Sequence, residues 1–134
     1  MMETKLNPKD EYAGKRVLVV ATFGSANPER CPASFMFASE AVKAGAEAGI
    51  CFVLQAPLLL KRGVAETLRP REGGRTIREF IDEALGLGVK FFVCDAALQL
   101  CQMTPEDLID EVEKLVGPSF LVKQGFKSDL VLSF

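Results

Sequence analysis

The chain contains no histidine. That absence removes a Cys–His pair, a Ser–His–Asp triad and any zinc site that needs an imidazole. Cys-x-x-Cys is also missing, and the four cysteines, Cys31, Cys51, Cys94 and Cys101, lie too far apart to suggest a four-thiolate zinc site. The longest apolar stretch, Ile50 to Leu60, is interrupted by Gln55 and Pro57, so it is too short to span a bilayer. A net charge of −2 gives no footprint for nucleic acid. Neither Gly24-Ser25-Ala26-Asn27 nor Gly73-Gly74 fits a glycine-rich phosphate fingerprint, which argues against a bound dinucleotide.

What is present reads as one globular domain. A chain of 134 residues fits a single domain, and 49% hydrophobic residues suffice for a core without disulfide staples. Met1 to Gly14 is a polar segment of mixed charge, with no apolar core and no cleavage site. It does not read as a signal peptide, so a cytoplasmic protein with reduced thiols is expected. The expected organisation is a polar extension over 1–14 and one α/β domain over 15–134.

Strands and helices alternate along the chain. Lys15 to Phe23 is a valine-rich run typical of a strand buried on both faces. A turn at Gly24 to Pro28 leads to a helix from Pro32 to Gly45. Ile50 to Gln55 is the second strand, and Leu58 to Leu68 is expected to form a short helix. Thr76 and Glu79 form a capping box for the next helix, which ends at Gly86 or Gly88. Val89 to Val93 is the third strand, followed by a short helix from Cys94 to about Cys101. Thr104-Pro105-Glu106-Asp107 is a strong helix start. Leu115-Val116, Pro118 to Phe126 and Leu130 to Phe134 are expected as strand, helix and strand. Such alternation implies right-handed crossovers and a parallel sheet with helices on both faces.

Sites in open parallel sheets form beyond the carboxyl ends of the strands. Thr22 to Asn27, Gln55 to Pro57 and Cys94 to Ala96 should therefore converge. Cys94 stands out because a strand ends there and a helix begins. Helix N-terminal donors favour a thiolate, the reactive form of cysteine. With no histidine, activation must come from a helix terminus, backbone donors, lysine or arginine. Position alone leaves Cys94 either a reactive thiol or a core filler.

The stretch FFVCDAALQLCQMTPEDL, the following Leu115-Val116-Gly117 and the closing Ser128 to Phe134 resemble the DsrE/DsrF-like family of small sulfur-relay proteins, which includes TusD-type carriers. The closing segment is similar to the family's ending of aspartate, apolar residues and phenylalanine. The resemblance covers nearly everything after the polar N-terminal segment. It implies a three-layer α/β/α sandwich with a mainly parallel five-stranded sheet, and a homotrimeric or hexameric assembly. It also implies that Cys94 carries sulfane sulfur as a persulfide or thiosulfonate between donor and acceptor proteins. Cys101 is similar to the second cysteine of a thiosulfate-transferring subgroup.

These expectations compete with plainer ones. Cys94 and Cys101 are seven residues apart, roughly 10.5 Å along a continuous helix, whereas a disulfide needs Cα atoms within about 7 Å. Cys101 is therefore a second thiol near the site or a packing residue. Cys31 leans structural, and Cys51, inside an apolar strand, reads as core. Gly24 and Asn27 sit in a loop whose backbone N–H groups suit an oxyanion. The loop Arg69 to Arg75 is either a solvated surface or a source of guanidinium donors, Arg75 among them, for a small inorganic sulfur anion such as thiosulfate. The leading reading is sulfur transfer through Cys94, a chemistry that needs no metal and no organic cofactor. The alternatives are a non-catalytic binding or scaffold domain with structural thiols, and a flavodoxin-like small-molecule binder.

Overall fold

The computed structural model describes residues 11–134. Most of the polar extension expected over 1–14 lies outside the described residues. The described part of it turns at Tyr12, whose N–H donates to the Ala44 carbonyl at 2.9 Å.

Five strands form the sheet: β1 (Arg16–Ala21), β2 (Glu47–Phe52), β3 (Lys90–Cys94), β4 (Lys114–Val116) and β5 (Leu130–Ser133). Four helices connect or flank them: α1 (Pro32–Lys43), α2 (Ile77–Gly86), α3 (Asp95–Leu100) and α4 (Pro118–Lys127). The strand order is β4-β3-β2-β1-β5, with every neighbouring pair parallel. Three successive right-handed crossovers step in one direction and lay α1, α2 and α3 on one face. The last crossover returns across the whole sheet, so α4 covers the other face. The expected three-layer α/β/α sandwich is observed.

Two cores record this division. The larger joins Val17, Val19, Ile50, Phe91 and Val93 of the sheet to Phe35 of α1, Ile77 and Ile81 of α2 and Leu98 of α3. Its centre is aromatic, with the Phe52 and Phe91 rings edge to face at 5.2 Å. The smaller core joins Leu18, Cys51 and Val116 to Phe120 and Leu121 of α4. Side chains alternate across a strand, so β3 sends Phe91 and Val93 to the first face and Phe92 and Cys94 to the second.

Three local expectations change. β2 begins at Glu47, earlier than its apolar run suggests, because Ala48 and Gly49 pair with Val17 and Leu18 of β1. A Cβ on Gly49 would stand 3.1 Å from the Phe92 ring, so a small residue there makes room for the aromatic neighbour. The expected helix from Leu58 to Leu68 shrinks to a 3-10 turn, Ala56–Leu60. Leu59 and Leu60 are buried there, Lys61 turns extended to bridge Leu108, and Gly63 adopts a φ of 84°. The capping box at Thr104 forms, but its helix stops after Pro105–Asp107, because Leu108 is drawn into that same bridge. The Thr76 capping box forms as expected, with the Thr76 N–H donating to Glu79 Oε2 at 2.7 Å.

Candidate functional site

Cys94 is the last residue of β3 and the N-cap of α3. Its register partner is Val116, at the end of β4. The apolar run VKFFVC makes the strand. Asp95 opens a helix that buries Ala97 and Leu98 on the first face while the Cys94 side chain points to the second. On that second face α4 starts directly after β4, with Gly117 as an N-cap that brings no side chain to the first turn. Cys94 is thus flanked by the N-termini of two helices, its own and that of α4. α3 presents the unpartnered N–H groups of its first turn, whereas α4 opens on Pro118, which has no N–H, and on Phe120, whose N–H is taken by the Gly117 carbonyl at 3.1 Å. The thiol is partly exposed and makes no capping hydrogen bond.

The other three thiols are committed elsewhere. Cys31 is buried, with its sulfur 3.2 Å from the Asn27 carbonyl and 3.3 Å from that of Gly24. Burial, with help from Glu29, pushes this thiol up to about 11. Cys51 is fully buried on the same face as Cys94, and burial followed by the charge of Cys94 pushes it up to about 12. Cys101 caps the end of α3 and donates to the Leu54 carbonyl at 3.3 Å, and burial raises its pKa. All four cysteines are free. The unbroken α3 keeps Cys94 and Cys101 at opposite ends, so the separation argued from spacing holds.

The remaining candidates lie away from Cys94. Gly24 and Asn27 follow β1, two strands from β3, or about 10 Å across the sheet. Gly24 has a steric reason to be glycine: a Cβ there would meet the Gln55 carbonyl oxygen at 2.2 Å. The β1 and β2 edge loops therefore touch backbone to backbone. Asn27 is exposed and its side chain caps nothing. Arg75 lies on the α2 side of the sheet, with its guanidinium 4.2 Å over the Phe80 ring and 3.5 Å from Glu83. Around Cys94 the fold instead gathers Cys51, Val53, Val116 and Gly117. Only the strand register brings these together, and the sequence carries no local signal of it.

An open cavity of about 570 Å³ lies at the opposite, amino end of the strands, lined by Arg16, Gly49, Lys90, Phe92, Lys114 and Phe120 among others. Cys94 does not line it. Among the described residues, no three His, Cys, Asp or Glu side chains are grouped to hold a metal ion, and no helix is long and apolar enough to cross a membrane.

Solved structures with this architecture include the YchN protein from E. coli, with a TM-score of 0.74 and 19% identity over 90% of this chain and 99% of that one. A protein of unknown function from Methanobacterium thermoautotrophicum, MTH1491, superposes with a TM-score of 0.61 and 15% identity over the same shares. At such identities the likeness speaks for the fold. No curated protein matches the sequence. The model of the DsrE/DsrF-like family matches residues 15–134, from just before β1 through the last residue of the chain. With strand order, strand-end cysteine and closing strand all in place, the chain belongs to the DsrE/DsrF-like family.

Proposed function

We propose that this chain is a cytoplasmic sulfur carrier that uses residues 15–134 as one working domain and Cys94 as its nucleophile. The Cys94 thiolate attacks the outer sulfur of a donor persulfide, R–S–SH. An S–S bond forms at Cys94, the donor's S–S bond breaks, and the donor leaves as R–S⁻. The acceptor's thiolate then attacks the same sulfane sulfur and Cys94 departs as thiolate, so no net oxidation occurs. A thiosulfonate group travels by the same exchange. The observation that carries this reading is the free, partly exposed Cys94 thiol at the carboxyl edge, flanked by two helix N-termini. Membership of a family associated with sulfur relay supports it.

The test is intact-mass analysis after incubation with thiosulfate, tetrathionate or polysulfide. Wild type should gain sulfur-containing mass and Cys94→Ser should not. An equal gain in both, or none in wild type, ends the proposal. For a small sulfur anion as donor, Arg75 serves as a guanidinium donor by leaving Phe80 and Glu83, whereas the Asn27 N–H in the β1 loop is already taken by the Gly24 carbonyl at 3.0 Å. An unchanged adduct rate in Arg75→Ala would remove Arg75 from the scheme.

A homotrimeric or hexameric assembly belongs to the same proposal. Apolar side chains stand in solvent on α4 and the edge strand β5, with Phe126 89% exposed and Val122 58%. Light scattering reads the mass directly, and a monomer at micromolar concentration would contradict it. The rival reading is a scaffold domain, favoured by the burial of Cys31 and Cys51. It predicts uniformly slow thiol labelling in the native protein, where the carrier predicts one fast thiol.

A further inference from the structure

Two described non-glycine residues have a left-handed backbone, Leu54 with φ 52° and Gln102 with φ 56°. Gln102 has an ordinary reason. It follows the last turn of α3, where the Gln102 N–H donates to the Gln99 carbonyl and the Met103 N–H to that of Leu98, the hydrogen-bond pattern that closes a helix in this conformation. Leu54 has no such reason. It follows β2 in a turn closed by the Ala56 N–H on the Val53 carbonyl at 2.9 Å. Glycine or asparagine is the usual occupant of a left-handed turn position, whereas leucine is strained there. Burial does not compensate, because the Leu54 side chain is 54% exposed.

What does hold Leu54 is Cys101. Its thiol donates to the Leu54 carbonyl at 3.3 Å, while the Leu58 N–H closes the next turn on the Gln55 carbonyl at 3.1 Å. The sulfur thereby ties the Leu54 end of the segment to the end of α3. The segment borders the nucleophile: Phe52 pairs with Val93, so Val53 stands beside Cys94 and Leu54 follows. The same segment takes the backbone contact from Gly24, which joins it to the β1 loop.

We infer that Cys101 is a positioning residue, a thiol that pins the strained Leu54 turn against the carboxyl edge, and not a second sulfur carrier. This rests on the reading of Cys94 as the nucleophile. The hydroxyl of serine can replace the thiol as donor to Leu54, whereas alanine cannot. Glycine at 54 removes the backbone strain that the bond holds.

The experiment compares wild type, Cys101→Ser, Cys101→Ala and the double variant Leu54→Gly/Cys101→Ala. Hydrogen–deuterium exchange over residues 53–58 is read beside the rate of adduct formation at Cys94 with tetrathionate. Cys101→Ala should exchange about five- to tenfold faster at the Ala56 and Leu58 amides, the effect of losing about one hydrogen bond. It should also slow reaction at Cys94. Cys101→Ser and the double variant should stay near wild type in both. Sulfur mass on Cys101 itself, or Cys101→Ser as slow as Cys101→Ala with unchanged exchange, would make Cys101 a chemical participant and overturn the inference. Unchanged exchange in Cys101→Ala overturns it as well. The exchange measurement does not depend on Cys94, so an inert Cys94 would defeat the relay reading while leaving this one decided.

Discussion

Cys51 and Cys94 share the second face of neighbouring strands, with Cys51 paired to Phe92 and Cys94 two residues further along β3. Cys51 is fully buried and Cys94 partly exposed, so two chemically identical groups one diagonal step apart meet different dielectric surroundings. The buried member stays protonated and forms an apolar floor beside the exposed one.

Alkaline pH should expose this difference. Burial raises the Cys31 and Cys51 thiols from the ordinary 9.0 to about 11 and about 12. The folded chain then holds protons that the unfolded chain has released. Their contribution to stability is complete below pH 9 and is lost as pH rises through 11 and 12. Each thiol should cost about 1.4 kcal/mol per unit of pH across its window. Urea unfolding at pH 8 to 11 measures it, and Cys51→Ala should flatten the slope. A stability that is level to pH 11 would refute the assignment.

Gly24→Ala should destabilise the protein by about 2–3 kcal/mol, because the new Cβ meets a backbone oxygen at 2.2 Å and the clash is relieved only by parting the β1 and β2 loops. Thermal unfolding measures the loss. A wild-type melting temperature would mean that the loops separate freely.

Phe120→Ala should cost about 3 kcal/mol. Its ring packs on Phe92 at 5.1 Å and carries the Lys114 ammonium at 4.7 Å, and it is a principal tie between α4 and the smaller core. Because the α4 N-terminus flanks Cys94, the variant should also label more slowly at Cys94 while still folded. Slower labelling without any stability loss would point to a direct role instead.

Thr76→Ala should lose about 1 kcal/mol through the broken capping box at the start of α2. Thr76→Ser should retain most of it, because serine supplies the same acceptor to the Glu79 N–H. Paired denaturation curves separate the two. Equal losses would assign the effect to the methyl group.

Much of this architecture is legible without coordinates. The valine-rich run of β1, the capping box at Thr76 and the strand-to-helix junction at Cys94 each rest on interactions within a few residues, which local sequence encodes directly. Leu58 to Leu68 and Thr104 to Asp107 misled for the complementary reason. Their apolar spacing and capping suit helices, but the Lys61–Leu108 bridge lies 47 residues apart in the chain and overrides both. A contact of that range leaves no periodic trace in either segment.

The sequence by itself determined the alternating α/β class, the absence of any imidazole chemistry and the placement of Cys94 at the end of a strand. Those follow from composition and from short-range hydrogen bonding. The tertiary structure alone decided that Cys94 faces α4 beside Cys51 while Cys101 turns to Leu54, and that Gly24, Asn27 and Arg75 stand apart from them. Strand order and pleat parity settle such relations, because one strand's shift in order or one residue's shift in register exchanges the neighbours of every side chain on the sheet.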